Sequence, residues 1–389
     1  MKTTTSKKIL PIIIFSQFCC TSLWFAGNSI IDDLIVFFQL RPESLGYISS
    51  SVQFGFIVGT FIFAIFTLGD RFSPSRIFFI CSVFAAIFNI GVLYENNTMT
   101  TLLLFRFLTG FSLAGIYPIG MKIAADHFEK GLGKSLSFLI AALVLGTAFP
   151  YLIKSFNLDL KWELVIWVTS SLALLGGVLI FALVPDGPYQ KLVQKFEMSK
   201  ILKVFKDESF KSAAFGYFGH MWELYAFWTF VPVLLITHSQ LHHVTLNISL
   251  FSFIVIASGA VSCIIGGFLS KTYGIKKTAF FSLSISGMCC LLSPLLFMVN
   301  SSFIFIVFLV IWGMAVIADS PLFSTMVAQN CDANAKGTAL TIVNSIGFAI
   351  TIISIQLLNV LLANTNYTPY AFMVLALGPF IGLIYLKRS

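Results

Sequence analysis

Ionisable residues inside apolar segments are the first candidates for chemistry in this chain, because a charge is costly where water is excluded. His220 and Glu223 stand one helical turn apart in "GYFGHMWELYAFW". Burial raises the pKa of a carboxylate and a nearby positive charge lowers it, so a carboxylate that meets both settings in turn takes up and releases protons. The pattern predicts that Glu223 carries a proton and that His220 adjusts its proton affinity. The alternative is a buried hydrogen-bonded pair that only fixes helix packing.

Arg106 and Asp319 also stand well inside apolar segments. A guanidinium in such a place attracts an anionic part of a substrate, or pairs with Glu223 or Asp319 while the site is empty. Asp319 is predicted to take part in proton coupling together with His220 and Glu223. Because Asp319 comes shortly before a proline in "ADSP", a local cap at a helix break is the alternative role.

The elements that position these residues are long and apolar. The chain has 389 residues, of which 58% are hydrophobic and 10% charged, with a mean hydropathy of +0.93. A soluble domain has about 25% charged residues. Twelve segments have roughly the 20 residues that cross a bilayer as a helix, so an all-α integral membrane protein is predicted. The spans lie at roughly 9–31, 47–68, 77–94, 101–122, 135–156, 162–184, 211–236, 246–270, 278–299, 303–328, 337–363 and 369–386.

The basic residues indicate how these spans are oriented. With the N-terminus in the cytoplasm, 20 of the 24 lysines and arginines fall on cytoplasmic segments, while Arg41, Lys154 and Lys161 lie outside. This bias predicts a multi-pass protein of the inner (plasma) membrane with both termini in the cytoplasm. The net charge of +8 follows from the topology, so no nucleic-acid partner is expected. The start, "MKTTTSKKILPIII", is predicted to be an uncleaved first helix.

The two halves of the chain share landmarks. Gly110 precedes Pro118 in "RFLTGFSLAGIYP", and Gly313 precedes Pro321 by the same interval in "VIWGMAVIADSP". The basic loops "TLGDRFSPSR" and "GFLSKTYGIKK" also correspond. Repeated halves with a site between them are typical of secondary transporters. The predicted parts are an N-terminal six-helix bundle at 1–184, a cytoplasmic basic linker at 185–210 and a C-terminal six-helix bundle at 211–389.

Several of these motifs resemble the major facilitator superfamily of secondary transporters, over nearly the whole chain. "LGDRFSPSR" resembles its signature between helices 2 and 3, with Asp70 and Arg71 at the acid and base positions, and Lys271 takes the acid's place in the second copy. "RFLTGFSLAGIYPIG" resembles the helix 4 motif, with Arg106 as its basic residue. "SLWFAGN", "GHMWELYAFW" and "ADSPLFS" resemble a bacterial branch loosely related to nitrate and cyanate permeases.

The resemblance implies two pseudo-symmetric six-helix bundles, with helices 1, 4, 7 and 10 around a central cavity and Asp70, Arg71 and Lys271 gating the cytoplasmic side. The ionisable residues Arg106, His220, Glu223 and Asp319 fall in spans 4, 7 and 10, in agreement with that arrangement. Polar and aromatic residues on shared helix faces are predicted to bind a hydrophilic solute. The predicted substrate-binding residues are Arg106, Trp24, Asn28, Gln17, Trp222, Trp228 and Asn344.

The predicted function is alternating-access secondary transport, with proton-coupled uptake of a small hydrophilic organic anion. The alternative is a proton-driven exporter of a drug, a metabolite or a carboxylate siderophore. The helix 5 motif of antiporters is poorly matched by "LGTAFPYL", with Phe149 before Pro150, which favours uptake. Coupling to sodium instead of protons stays open.

Other classes of protein fit the sequence poorly. A membrane enzyme would need further clustered polar groups or a sizeable soluble loop, and a sensor or scaffold would need a soluble domain. The sequence shows none of these features, so neither class is expected. The sequence has no GxxxxGK[ST] segment, and no cofactor is predicted. The pair His242 and His243 has no carboxylate or cysteine nearby, so no metal site is predicted. The expected partners are a small-molecule substrate, protons and the lipid bilayer, and the expected state is a monomer.

Overall fold

A computed structural model describes residues 8–128, 132–156, 161–189, 204–331, 336–363 and 368–388. Most of the predicted linker, at 190–203, lies outside the described residues. Twelve helical segments of the described chain correspond to the twelve predicted spans, so the predicted fold class is confirmed. They are α1 Ile9–Thr21, α2 Ser44–Ile65, α3 Pro74–Leu93, α4 Met99–His127, α5 Leu132–Ser155, α6 Glu163–Leu183, α7 Glu208–Leu241, α8 Ile248–Tyr273, α9 Ile275–Leu296, α10 Ser302–Gln329, α11 Lys336–Leu362 and α12 Pro369–Arg388.

Eleven of the described helices are long and apolar enough to cross a membrane, and α1 is a shorter apolar helix. Hydrocarbon offers no hydrogen bonds, so a spanning segment must pair its own backbone groups, which a helix does. Polar side chains cap several helix starts. Thr98 and Thr101 form a capping box at α4, and the side chains of Asp207 and Asn247 accept backbone N–H groups at α7 and α8.

Span 1 is not the single helix that the sequence predicts. Helix α1 ends at Thr21, and the chain continues through the short helices Ala26–Ser29 and Ile31–Phe37. A break inside a membrane-spanning segment leaves backbone groups that need other partners. Two of the carbonyl groups at this break, those of Leu23 and Trp24, accept hydrogen bonds from Arg106.

The helices form two bundles that meet along two seams. Helices α1 to α6 pack on one another, and so do α7 to α12. Across the boundary, α2 packs on α11 and α5 packs on α8. We call the end of the molecule that carries Thr67, Val184 and Gly274 the linker side, and the opposite end the far side. The seams matter for the site because they enclose the space between the bundles.

The internal repeat appears in the backbone of α4 and α10. Each helix is interrupted at the same place relative to the repeat, α4 between Leu113 and Tyr117 and α10 at Asp319. A proline follows each interruption, in the first turn of the next helical piece, where its missing N–H costs nothing.

Gly110 and Gly313 have matching surroundings. A Cβ on Gly110 would lie 2.0 Å from the carbonyl oxygen of Val52 in α2, and a Cβ on Gly313 would lie 2.3 Å from that of Val255 in α8. Both positions therefore need glycine for the close approach of two helix backbones. The correspondence in space supports the pseudo-symmetry that the sequence landmarks predict.

Candidate functional site

A cavity of about 640 Å³ lies between the two bundles. Helices α2, α4 and α5 contribute one wall, and α7 to α11 contribute the other. Three tyrosines, Tyr117, Tyr217 and Tyr225, line it, and hydroxyl groups of serines and threonines are spread among the apolar residues. The lining includes the exposed residues Lys271 and Gln329, so the cavity opens at the linker side.

The inner end of the cavity is closed by a group of rings that we call the aromatic layer. Trp24 stacks on Tyr225 and Phe348, with centroids 5.7 Å and 5.9 Å apart, and its ring lies 5.0 Å from that of Phe56. Phe56 and Phe348 lie 4.6 Å apart across the seam between α2 and α11. Both bundles therefore contribute rings to this barrier.

Beyond the aromatic layer, hydrogen bonds join α2 to α11 on the far side. Gln356 donates to the carbonyl oxygen of Gly46 at 3.0 Å and to the hydroxyl of Ser50 at 2.7 Å. Asn359 donates to the carbonyl oxygen of Glu43 at 3.0 Å. We call this set the far-side latch. The space between the bundles is thus open to the linker side and closed to the far side.

Glu223 is fully buried inside the second bundle. Its carboxylate accepts hydrogen bonds from Trp312 Nε1 at 2.6 Å and from Ser286 Oγ at 2.9 Å. Trp312 lies on α10 and Ser286 on α9, so the carboxylate joins three helices. Both partners donate, an arrangement that suits a carboxylate, whose oxygens accept hydrogen bonds. Within the described residues, Glu223 accepts no hydrogen bond from His220.

His220 contacts Asp319 instead of Glu223. The distance from His220 Nδ1 to Asp319 Oδ1 is 2.8 Å, and both side chains are almost completely buried. Asp319 forms the interruption of α10, where its backbone carbonyl accepts hydrogen bonds from Leu322 and Phe323. Its side chain makes no cap hydrogen bond, so the carboxylate is directed to α7 rather than to the break.

Arg106 is buried within the first bundle and fixes the interruption of span 1. Its Nη2 donates to the carbonyl oxygens of Leu23 at 2.9 Å and Trp24 at 2.6 Å, and its Nη1 donates to Asn89 Oδ1 at 3.0 Å. The cavity lining does not include Arg106, and its guanidinium contacts neither Glu223 nor Asp319 among the described residues. The same fork that would bind a carboxylate here binds backbone carbonyl groups.

The other predicted substrate-binding residues have varied surroundings. Asn344 lines the cavity. Trp222 donates its indole N–H to the carbonyl oxygen of Val374 at 3.1 Å, within the second bundle. Gln17 is buried against α4, where its Oε1 would lie 2.3 Å from a Cβ on Gly120. Asn28 donates to Ser49 Oγ at 2.6 Å, and Trp228 packs its ring on Tyr225 and Phe25, with centroids 5.5 Å and 6.4 Å apart.

The predicted gating residues lie at the linker side. Asp70 and Arg71 share the short helix Leu68–Arg71, and Asp70 forms a salt bridge of 2.9 Å with Lys122 of α4. Lys122 also lies 3.5 Å from Asp126. Lys271 lines the cavity mouth, with its ammonium group 5.6 Å from the centroid of the Phe268 ring.

Residues 13–355 match the family model described as Major Facilitator Superfamily. The chain belongs to the major facilitator superfamily. The family and its alternating-access fold identify a membrane transporter rather than an enzyme. The cavity between two related bundles, closed at one end, is the geometry that such a fold requires.

A curated relative is the bicyclomycin resistance protein homolog of Haemophilus influenzae, which is 27% identical over 154 residues. That match covers 38% of this chain and 37% of the relative, so the chain spans just over a third of the relative's length.

Solved structures of the superfamily have the same fold. The proton:xylose symporter XylE matches with a TM-score of 0.76 and 13% identity, over 98% of this chain and 94% of the symporter. The nucleoside transporter NupG, in a mutant form, matches with a TM-score of 0.73 and 15% identity, over 98% and 99%. A bacterial homolog of the human lysosomal transporter Spinster, inward-facing and unoccupied, matches with 0.69 and 14%, over 100% and 96%.

Within this superfamily fold, two neighbouring faces of α7 have different surroundings. His220 and Glu223 point into the second bundle, while Tyr217, Met221 and Tyr225 line the cavity. Sequence reasoning selected the first face because it holds the charges, and it missed the tyrosines. Tyr217, Met221 and Tyr225 recur every four residues, and this spacing is the signal that a helical projection offers for the second face.

Proposed function

We propose that this transporter exports an uncharged, ring-containing organic molecule in exchange for protons. The observation that carries the proposal is the cavity wall, which combines aromatic faces with neutral hydroxyl groups. A cavity of about 640 Å³ is in the range that holds a drug-sized ligand. Aromatic rings on the wall stack on rings of a ligand, and the hydroxyl groups give orientation through hydrogen bonds.

The charge of the wall supports an uncharged substrate. Among the described residues, Lys271 is the only lysine or arginine that lines the cavity, and it lies at the cavity mouth. Arg106, on which the prediction of an anionic substrate rested, already donates to two carbonyl groups and to Asn89. A charged group deep in the cavity would leave water without an opposite charge beside it, which costs free energy.

The direction of transport is inferred from the relative and from the topology. The curated relative is named for resistance to bicyclomycin, and resistance is a common outcome of export. The basic residues predict that the linker side faces the cytoplasm. A cavity open to that side is then the state in which an exporter loads its substrate.

Proton coupling is assigned to the buried carboxylates. Glu223 and Asp319 are both buried from solvent in this state. Placing an ionisable residue inside a membrane costs free energy, so such a residue is a candidate for a functional role. Asp319 adjoins Ser320 and Pro321, which line the cavity, so a change in its charge acts on the wall itself. The binding of protons affects the binding of substrate only if each ligand has different affinities for the linker-side-open and far-side-open states of the protein.

The test uses everted membrane vesicles with an acid interior and a trapped pH dye. Addition of the transported compound from an uncharged ring panel raises the interior pH if the protein is a proton-driven exporter, and lowers it if the protein is a symporter. The panel also contains organic acids, nitrate and sugars. Compounds that cross with no change in pH, at equal rates in wild type and in carboxylate variants, would contradict proton coupling.

The variants are Glu223→Gln and Asp319→Asn, with Glu208→Gln as the control. In Glu223→Gln the amide oxygen still accepts from Trp312, and the amide N–H donates to the Ser286 hydroxyl, so the packing is kept while the proton site is lost. Glu208 lies on the same helix, and its side chain is 71% exposed. We expect the pH response to vanish in both core variants and to persist in Glu208→Gln.

A second candidate is uptake of a small organic anion by proton symport. Lys271 favours an anionic substrate, because an ammonium group at the cavity mouth attracts anions to the open end of the cavity. In the same vesicles an organic acid would then lower the interior pH. Lys271→Gln would weaken this response, whereas it would leave the response to an uncharged compound unchanged.

A further inference from the structure

Several buried polar groups between the bundles have no hydrogen-bond partner among the described residues. They belong to Trp24, whose ring is in the aromatic layer, and to Gln53, Asn28 and Trp228, which follow that layer toward the far side. We call them the polar layer. Each of these residues is at most 1% exposed. Buried polar atoms are rarely unpaired in folded proteins, so such a group calls for a specific explanation.

Gln53 is the central member of the polar layer. It lies one turn from Phe56 along α2, between the aromatic layer and the latch residue Ser50, and both atoms of its amide lack a partner among the described residues. Ser50, Gln53 and Phe56 share the face of α2 that meets α11. Gln53 therefore lies on the face of α2 that meets the boundary of the two bundles.

The remaining groups approach from the break in span 1 and from α7. The indole N–H of Trp24 has no partner in the described part of the chain, although its ring is part of the aromatic layer. Asn28 donates to Ser49, but its Oδ1 accepts nothing from the described residues. Trp228 follows Tyr225 by one turn toward the far side, and its indole N–H also has no partner within the described ranges. Both bundles thus supply unpaired groups to one level of the molecule.

We propose that the polar layer is a second part of the substrate site, which binds an uncharged amide or hydroxyl group attached to the ring held by the aromatic layer. The inference rests on the proposed function and specifies its substrate class. The layer offers two indole N–H groups and one amide N–H₂ as donors, and two amide oxygens as acceptors. A carboxamide satisfies both kinds. A carboxylate is disfavoured, because it can only accept hydrogen bonds and would leave the unpaired amide oxygens of Gln53 and Asn28 without a donor.

The position of the layer explains how a substrate reaches it. Trp24, Asn28 and Gln53 belong to one bundle and Trp228 to the other, so a rocking motion that parts the aromatic rings opens the layer. A site built from buried, unpaired donors and acceptors discriminates strongly against molecules that cannot satisfy them. The cost of leaving these groups unpaired in the empty state is recovered when the ligand binds.

The test measures ligand-dependent thermal stabilisation of the purified full-length protein, since a ligand that binds the folded state raises its melting temperature. The probes are 2-naphthamide, 2-naphthoate and 2-methylnaphthalene, which share a ring system and differ in the polar group. For wild type we expect the dissociation constant of the amide to be about tenfold or more below that of the other two probes.

Two variants remove groups of the layer, and a third is the control. Gln53→Leu deletes the amide, and Trp228→Phe keeps a ring but loses the N–H. Ser212→Ala removes an equally buried and unpaired hydroxyl near the start of α7, outside the layer. We expect the preference for 2-naphthamide to disappear in the first two variants, with binding of 2-methylnaphthalene unchanged, and to persist in Ser212→Ala.

The outcomes separate this inference from the proposed function. If wild type binds none of the ring compounds, the proposed substrate class is wrong, and the inference is wrong with it. If wild type binds all three probes equally, or prefers the naphthoate, the inference alone is refuted. A preference for the amide that survives in both Gln53→Leu and Trp228→Phe also refutes it, because recognition would then lie elsewhere.

Discussion

The far-side latch is expected to hold the protein in the state that is open to the linker side. Gln356 and Asn359 of α11 donate three hydrogen bonds to α2, and all three cross between the bundles. The perturbation is the double variant Gln356→Met and Asn359→Leu. Methionine and leucine match glutamine and asparagine in shape, so packing on α2 is kept while the donors are lost.

The size of the effect follows from the number of bonds. A hydrogen bond between helices in a membrane contributes about 0.6 kcal/mol on average and up to about 1.7 kcal/mol. Loss of three such bonds removes ~2 kcal/mol from the closed far side, which shifts the equilibrium between the two states roughly 25-fold. The carbonyl acceptors on α2 are not stranded, because they keep their partners within the helix.

The assay is a distance measurement by pulsed electron paramagnetic resonance. Spin labels are attached at Val36 and Val360, which are 79% and 70% exposed at the far side and belong to different bundles. Cys331 is replaced by serine in every sample. We expect the double variant to gain a population with a longer distance, and the single variants to gain intermediate fractions. Asn96→Leu, which changes an exposed far-side asparagine within the first bundle, serves as the control.

A distance distribution identical to that of wild type would refute the reasoning. It would mean that the apolar contacts of the seams, above all Phe56 on Phe348, determine the closed state without help from the amide groups. A shift of the same size in the Asn96→Leu control would show a general loss of stability instead of a latch.

Three further expectations concern packing and charge. Gly110→Ala and Gly313→Ala each drive a Cβ to within 2.3 Å or less of a neighbouring backbone oxygen, so both should lower the free energy of unfolding by about 1–3 kcal/mol in thermal denaturation; normal stability would disprove the close helix contact. Arg106→Lys keeps the charge but lacks the planar guanidinium that donates to three acceptors, so the melting temperature should fall. An unchanged melting temperature would show that the guanidinium does not stabilise the break in span 1. Lys122→Met removes part-exposed ion pairs, including that with Asp70, and should cost less than about 1 kcal/mol in the same assay; a larger loss would indicate a structural role.

The number and bounds of the membrane-spanning helices could be predicted well because they depend on local properties of the sequence. The starts and ends of the described helices agree with the predicted spans to within five residues, apart from span 1. The glycine and proline landmarks of spans 4 and 10 predicted two related halves, and the structure shows both helices interrupted ahead of the matching prolines. Such features follow from segment length, backbone hydrogen bonding and proline, none of which needs knowledge of distant residues.

The pairing of the charged residues could not be predicted in the same way. His220 and Glu223 share a helix face, yet one contacts Asp319 and the other contacts Trp312 and Ser286. Each partner is far away in sequence. The neighbouring face of α7, with Tyr217 and Tyr225, meets the cavity instead. Since α7 is buried on most of its surface, no hydrophobic pattern marks which face meets lipid, protein or cavity.

The sequence by itself determined that this protein is a twelve-span, two-bundle membrane transporter with ionisable groups in spans 4, 7 and 10. Only the tertiary structure decided that Arg106 binds the broken end of α1, that Glu223 and Asp319 lie outside the cavity lining, and that tyrosines line that cavity. The physical reason is that length and hydropathy fix where a segment crosses the membrane. The rotation of each helix about its axis is fixed by packing against neighbours from the whole chain.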